Sequence, residues 1–358
     1  MAVYHQAQAT NRPTFPLVDH RLPRKIALEE AIGTDVFNAT ATFPPHNDTS
    51  ELPYVESQYA ADVKDRLFDI EKRIEAMDRA GVDLAIVSLA MPGMKGIYNS
   101  ADAIKMAKQV NDEIYAKYLT GQYAHRFKAF ACVPVQNPAA AASELERCVR
   151  ELGCVGALVN GFVNKGSANE VQYLDDDSFE PLWSKLEELD APLYLHPRIP
   201  SPSQMRAYEG YKFIAGSPWG FGVETATHAL RLMLCGLFDR YPRLKIILGH
   251  CSEGLPFSLY RVDHRLRHFR PENERCKLPL QHYWMRNFWV TTAGVMSSSA
   301  LSQTIQLCGE EQVMWSAEYP FEDYDEAAGW YDGLEMNVDT KMNIGWRNAE
   351  KLFKLKRS

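Results

Sequence analysis

The chain reads as an α/β protein, a parallel (β/α)8 TIM barrel with long loops after its first and fifth strands. Three observations predict this. Eight short runs rich in Val, Ile, Leu, Phe and Ala alternate with amphipathic stretches of helical period, which is the pattern of repeated strand–helix units. The runs are continuously apolar rather than alternating, as strands covered on both faces must be. Four of them end in a carboxylate or an imidazole, at Glu29, His196, His250 and Glu318. A parallel barrel opens all its strand C-termini on one face, so side chains far apart in sequence can meet there and build a metal site.

Taken in order, residues 1–24 are polar and carry Pro13, Pro16 and Pro23. They read as an arm lying over the surface or a neighbouring subunit, or equally as a frayed tail. Residues 25–358 read as one barrel domain. The strands are expected at 25–30, 83–89, 127–134, 156–160, 192–196, 245–249, 288–292 and 313–317. Helices are expected at 63–80, 101–120, 138–152, 179–189, 223–241, 298–307, 325–334 and 343–354. The loops 32–62 and 197–219 both leave strand C-termini, so both can cover the same mouth, and long loops at such a place are usually functional.

At 358 residues, 46% hydrophobic and 24% charged, the chain has the size of a barrel with insertions and can bury a full core. A net charge of -7 with no Lys- or Arg-rich run argues against a nucleic-acid partner. Seven cysteines, an odd number with no C-x-x-C pair, suit a reducing cytoplasmic compartment. The first residues lack the apolar core of a signal peptide, and no stretch reaches the ~18 apolar residues of a membrane span. No G-x-G-x-x-G or Walker pattern occurs, which removes the main support for a nucleotide-binding sheet.

The strand-end residues carry the chemistry. Glu29 and Ala31 are two apart and share a strand face, whereas Glu30 points toward the helix layer. Glu29 is the ligand candidate, although a surface carboxylate at a strand end would read the same. His196 precedes Pro197, which ends the strand; it is a candidate metal ligand or a hydrogen-bonded core residue. His250 and Glu253 form a candidate acid/base pair, since a carboxylate beside an imidazole fixes its tautomer and raises its basicity. Glu253 also reads as a first-turn carboxylate of a helix starting near Ser252, favoured by the helix dipole. Glu318 can be ligand, proton carrier or both. Arg198, Arg261 and His264 are basic groups near the same rim, with Arg261 as suited to a subunit contact as to a substrate. Trp219 lies among the aromatic residues of the fifth-strand loop, and Asn160 ends the fourth strand.

These residues also carry a resemblance. KIALEEA at 25–31, GALVN at 156–160, YLHPR at 194–198, GLFDRYP at 236–242, ILGH at 247–250, WVTTAG at 289–294 and NAEKLFKL at 348–355 occur in order across the chain. It resembles the metal-dependent aromatic acid decarboxylases of the amidohydrolase superfamily, which act on resorcylates, dihydroxybenzoates and salicylates. The resemblance implies a distorted barrel, a homodimer or homotetramer, one divalent zinc or manganese ion, and a small aromatic acid as substrate. It implies Glu29, His196 and Glu318 as metal ligands, with His250 on the metal or the substrate. It further implies His250 and Glu253 as the catalytic pair, Glu318 as proton donor, and Arg261 acting across a subunit contact. Arg198, Trp219 and Asn160 join Arg261 as expected substrate contacts. Two positions depart from the family pattern: Ala31 stands where many relatives have histidine, and Glu318 where aspartate is usual. The implied reaction is non-oxidative decarboxylation of an ortho-hydroxybenzoic acid by ring-carbon protonation. That chemistry requires Glu318 to have a raised pKa. A metal-dependent hydrolase of an ester, lactone or amide is the alternative reading, and a non-hydrolytic barrel that binds or isomerises an aromatic compound is the second.

Overall fold

The structure is a computed structural model that describes residues 24–40, 55–269 and 275–355. The expected arm, apart from Arg24, and residues 41–54 of the first long loop lie outside these. Eight parallel strands follow one another around a single sheet: β1 (Lys25–Ile32), β2 (Val82–Leu89), β3 (Phe127–Cys132), β4 (Gly156–Asn160), β7 (Leu193–His196), β8 (Ile246–Leu248), β9 (Phe288–Thr291) and β10 (Val313–Met314). All eight expected strands are present. A small antiparallel pair, β5 (Val163–Asn164) and β6 (Val171–Gln172), follows β4 and was not expected; two-residue strands leave no periodic signal.

The last strand is shorter than its apolar run. Beyond Met314 its backbone finds other partners: Trp315 N–H bonds to Ile344 O at 2.8 Å and Ser316 N–H to Thr292 Oγ1 at 3.0 Å. No ladder joins β10 to β1 among the described residues. Ser316 closes that seam instead. Its Oγ accepts from Leu28 N–H at 3.0 Å and Glu29 N–H at 2.9 Å and donates to Glu30 Oε1 at 3.0 Å. Ala31 N–H completes the closure on Tyr319 O at 2.9 Å.

Two consecutive N–H groups on one acceptor mark a β-bulge, and the β1–β2 register shifts between Ala27 and Glu30. A bulge re-aims side chains. Here it breaks the alternation, so Leu28 fills the barrel interior while Glu29 also turns inward at the mouth. Glu30 faces outward as expected, fully buried against Arg73 and Tyr324.

The interior is packed by Ile26, Leu28, Ile86, Phe130, Leu158, Tyr194, Ile247 and Met314 from seven of the strands, with the half-buried Trp289 of β9 against them. Phe353, on the helix Asn348–Phe353, plugs the bottom against Phe130, with ring centroids 5.8 Å apart. Each such buried side chain contributes about 1.5–3 kcal/mol. A larger apolar layer lies between strands and helices.

The expected helix at 63–80 is two helices, α1 (Ser57–Phe68) and α2 (Ile70–Ala80). Asp69 separates them with extended backbone, and its side chain accepts from Lys72 N–H at 3.0 Å, an N-cap that starts a new helix;. The stretch at 223–241 also breaks, at Gly236 with φ 71°, after α3 (Gly220–Leu234). The helix expected near Ser252 begins later, as α4 (Leu255–Leu266). No helix among the described residues is long and apolar enough to cross a membrane.

Candidate active site

Glu29, His196, His250 and Glu318 meet at the C-terminal mouth of the barrel. Glu29 is 2% exposed. Its Oε2 accepts from Tyr194 O–H, which lies 3.0 Å from Thr291 Oγ1 inside the barrel. Tyr194 is two residues before His196 on the same strand face, so alternation alone would have placed it here, yet it was not singled out.

His196 is held by two neighbours. Its Nδ1 is 2.9 Å from Pro197 O, and the side-chain amide of Asn160, its register partner across β4 and β7, approaches the same atom at 3.0 Å. In the Nδ1–H tautomer that proton is donated to Pro197 O, which only accepts, and Nε2 is left as the lone pair; the Asn160 Nδ2 amine, itself a donor, suits the opposite tautomer;. Burial pushes the imidazole down to about 4, so the ring is neutral at neutral pH and one of its nitrogens is a bare lone pair. Nε2 faces Glu29 Oε1 at 3.3 Å, and Oε1 has no hydrogen-bond partner among the described residues.

His250 and Glu253 are brought together by backbone geometry. His250, Cys251, Ser252 and Glu253 have φ of 50°, 51°, 72° and 57°, and Gly254 follows at 69°. Left-handed non-glycine residues cost of order 1 kcal/mol or more each, and such strain gathers at functional sites. The turn points both side chains the same way, with His250 Nδ1 2.7 Å from Glu253 Oε1. Glu253 is therefore a turn residue rather than a first-turn helix carboxylate. The opposite nitrogen, Nε2, lies 3.3 Å from Glu318 Oε2 and 3.9 Å from Glu29 Oε1. Burial disfavours the imidazolium, but Glu253, Glu29 and Glu318 together outweigh it and hold His250 well above its usual range.

Glu318 also has left-handed backbone, with φ 84°. Burial pushes its carboxyl up, but the His250 charge and hydrogen bond prevail and it is held low. The raised pKa that the sequence reading required is thus not found; the proton sits on His250. Space for the longer glutamate is left by Gly294, where a Cβ would come within 2.6 Å of Glu318 Oε2. Gly249 does the same for Glu29, whose Oε2 would be 2.5 Å from a Cβ there.

Burial, with the Glu318 and Glu253 charges adding to it, raises Glu29 to about 8 even against the His250 charge. Three carboxylates thus share one mouth with too little positive charge. Ligand atoms of Glu29, His250 and Glu318 lie within 4.8 Å of one another, and the His196 lone pair adjoins them. Neutral imidazole and carboxylate are the donor set of zinc and manganese, so these residues fit a divalent ion. Ala31 contributes no ligand.

Two clefts open on this mouth. One, of about 480 Å³, is lined by Glu29, Asn160, His196 and Glu318. The other, of about 680 Å³, is lined by His250, Glu253 and Trp219; both share Ser217 and Phe221. Trp219 is 63% exposed at that outer rim. Arg198 is not among the lining. It is buried with its guanidinium over the Phe162 ring at 4.0 Å and an N–H on Phe162 O at 2.7 Å, so the turn at Pro197 carries it behind the mouth. Arg261 lies exposed on α4 and lines neither cleft. Glu322 was not anticipated; it lines the first cleft, and burial and the Glu318 charge raise it to about 7.

A profile of the amidohydrolase family matches residues 20–355. The chain is 42% identical to a γ-resorcylate decarboxylase of a Polaromonas species, over 93% of this chain and 99% of the relative. It is 38% identical to a γ-resorcylate decarboxylase of a Rhizobium species, over 92% and 98%. The fold superposes with a TM-score of 0.86 on a Polaromonas dihydroxybenzoic acid decarboxylase solved with manganese and 2-nitroresorcinol, at 40% identity over 93% and 98% of the two chains.

Proposed function

The chain belongs to the amidohydrolase family, and from that premise we propose that it is a metal-dependent decarboxylase of ortho-hydroxybenzoic acids, with 2,6-dihydroxybenzoate as the first substrate to test. The protein is a carboxy-lyase that uses a divalent metal ion and acts on a small aromatic acid. The observation that carries the site assignment is the unprotonated His196 Nε2 set 3.3 Å from the unpartnered Glu29 Oε1. Two such acceptors make sense around a cation. Glu29 and His196 would hold that cation, with Glu318 completing the set, while His250 keeps its Nε2 proton for the ring. The ion, when bound, fixes and polarises the oxygens of an ortho-hydroxybenzoate.

The chain's own residues supply the proton. Direct loss of CO2 would leave an aryl anion, so the ring carbon bearing the carboxylate must be protonated first. The His250 imidazolium, backed by Glu253, shares its Nε2 proton with Glu318 Oε2. That proton passes by way of Glu318 to the ring carbon, where a ring π pair forms the new C–H bond. The bond to the carboxylate then breaks, its electron pair restores the aromatic ring, and CO2 leaves. His250 is left neutral against Glu253 and regains a proton from water. Positioning of this kind is worth about 10²–10⁴ in rate. Phe221 and Phe321 wall the cleft and help exclude water;.

A homodimer or homotetramer accords with α4, where Phe257 and Tyr260 are 56% and 74% exposed beside Arg261. Arg261 would then reach a neighbouring subunit's mouth. The reducing cytoplasm is the compartment this reading favours. The test is a CO2-release assay on manganese-loaded protein. One CO2 and one resorcinol per 2,6-dihydroxybenzoate consumed is the expected result. Metal-loaded protein that releases none from any ortho-hydroxybenzoate overturns the reading.

A further inference from the structure

The cleft above Glu29 is larger than a benzoate ring needs. At about 480 Å³ it is roughly three times the ~150 Å³ cavity that accommodates benzene. The excess is roofed by α1. This helix is tied across the mouth at both ends: Tyr59 O–H donates to Phe321 O at 2.8 Å beside the Glu318 turn, and Leu67 O accepts from Gly33 N–H at 2.9 Å at the end of β1. Along the helix Ala60, Val63 and Leu67 line the cleft, with the Lys64 side chain beside them. Their spacing is that of one helical stripe, and it faces open volume. Leu89 and Met91 continue the apolar wall from the end of β2. Ala31, two residues beyond Glu29 on the same strand face, adds only a methyl group to the lining.

We infer that this annex receives an apolar side chain on the substrate ring, so that the preferred substrates are alkyl-substituted ortho-hydroxybenzoic acids with a chain of several carbons. This rests on the decarboxylase reading above and deepens it. The carboxylate and ortho-oxygen would stay at the ion that Glu29, His196 and Glu318 would hold, while the alkyl group runs under α1. A hydrophobic pocket rewards each methylene removed from water by about fourfold. Only the chain differs along a homologous series, so its length reads the annex directly.

The test compares kcat/KM for salicylate with 4-alkyl and 6-alkyl salicylates bearing methyl, propyl and pentyl groups, on manganese-loaded full-length protein. One of the two series is expected to rise by about fourfold per methylene. In parallel, dissociation constants of 5-alkylresorcinols, which need no turnover, should tighten by the same factor. The Ala60→Phe and Val63→Phe variants, each projecting a ring into the annex, should flatten both slopes. Flat or falling values in both series and for the alkylresorcinols, with 2,6-dihydroxybenzoate turned over normally, overturn the inference and leave the decarboxylase reading standing. Tightening of alkylresorcinols without CO2 from any acid supports the annex and overturns the decarboxylase reading instead.

Discussion

His196 Nε2 faces Glu29 Oε1 across 3.3 Å, and with the imidazole proton on the other side of the ring, donated to Pro197 O, it is a lone pair. Without a cation the two acceptors can coexist only over a shared proton, and Glu29 can hold one, since burial and the neighbouring carboxylates raise it to about 8. A bound dication does the same work and displaces that proton.

Metal-free protein should therefore lose stability as the pH rises from about 6.5 through 8. Glu29 keeps its proton in the fold up to about 8 but loses it near 4.5 when unfolded. His250 is likewise raised by its carboxylates, so both groups bind more protons folded than unfolded in this window, and stability falls with pH. His196 is lowered and acts in the opposite sense, but only below its ordinary value of 6.5. Metal binding must remove the Glu29 proton, so apparent affinity should climb about tenfold per pH unit below 8. The Tm gained on adding manganese, measured at pH 6.5 and pH 8, should be larger at pH 8.

Glu253→Gln removes the carboxylate that holds the His250 Nδ1 proton at 2.7 Å. The imidazolium then loses its strongest charge partner. We expect kcat to fall by about 10²-fold or more, with KM little changed and the alkaline limb of the kcat profile moved to lower pH. An unshifted limb would mean that His250 does not carry the proton.

Glu318→Asp draws the carboxylate back by one methylene from His250 Nε2, now 3.3 Å away. The backbone at φ 84° and the gap left by Gly294 are matched to glutamate. A displacement near 1 Å in a catalytic group costs about 10²-fold, so kcat of the aspartate variant should drop by about that factor.

Ser316→Ala deletes the acceptor for two N–H groups of the β1 bulge and the donor to buried Glu30. Buried groups left unpaired cost about 1–3 kcal/mol each. We expect a loss of about 2–4 kcal/mol in urea unfolding, together with weakened metal binding, because the bulge aims Glu29.

The barrel was legible because doubly covered strands are unbroken apolar runs, and all eight lie where those runs lie. Breaks inside helical stretches were less so: Asp69 divides one by capping its successor, a local hydrogen bond that hydrophobic period does not report. At the mouth, the strand-end rule brought Glu29, His196, His250 and Glu318 together. It could not show that the Glu253 pairing depends on a left-handed turn, which no propensity of Cys251 or Ser252 predicts. Nor could it show that the seam serine Ser316, 287 residues from Glu29 in sequence, sets where Glu29 points. Arg198 reads as a site cation from its place after His-Pro, but Phe162 offers its guanidinium a ring face and a carbonyl behind the mouth. Tyr194 was within reach of simple alternation from His196.

The central claim is that Glu29 and His196 hold the ion on which decarboxylation depends. The most direct measurement is the rate of CO2 release from 2,6-dihydroxybenzoate plotted against manganese bound per chain, for the wild-type protein and Glu29→Gln. The account predicts a rate that rises in proportion to metal and saturates at about one ion per chain, with Glu29→Gln neither retaining manganese nor releasing CO2. Release at the full rate from metal-stripped protein, or full manganese retention and activity in Glu29→Gln, would contradict it.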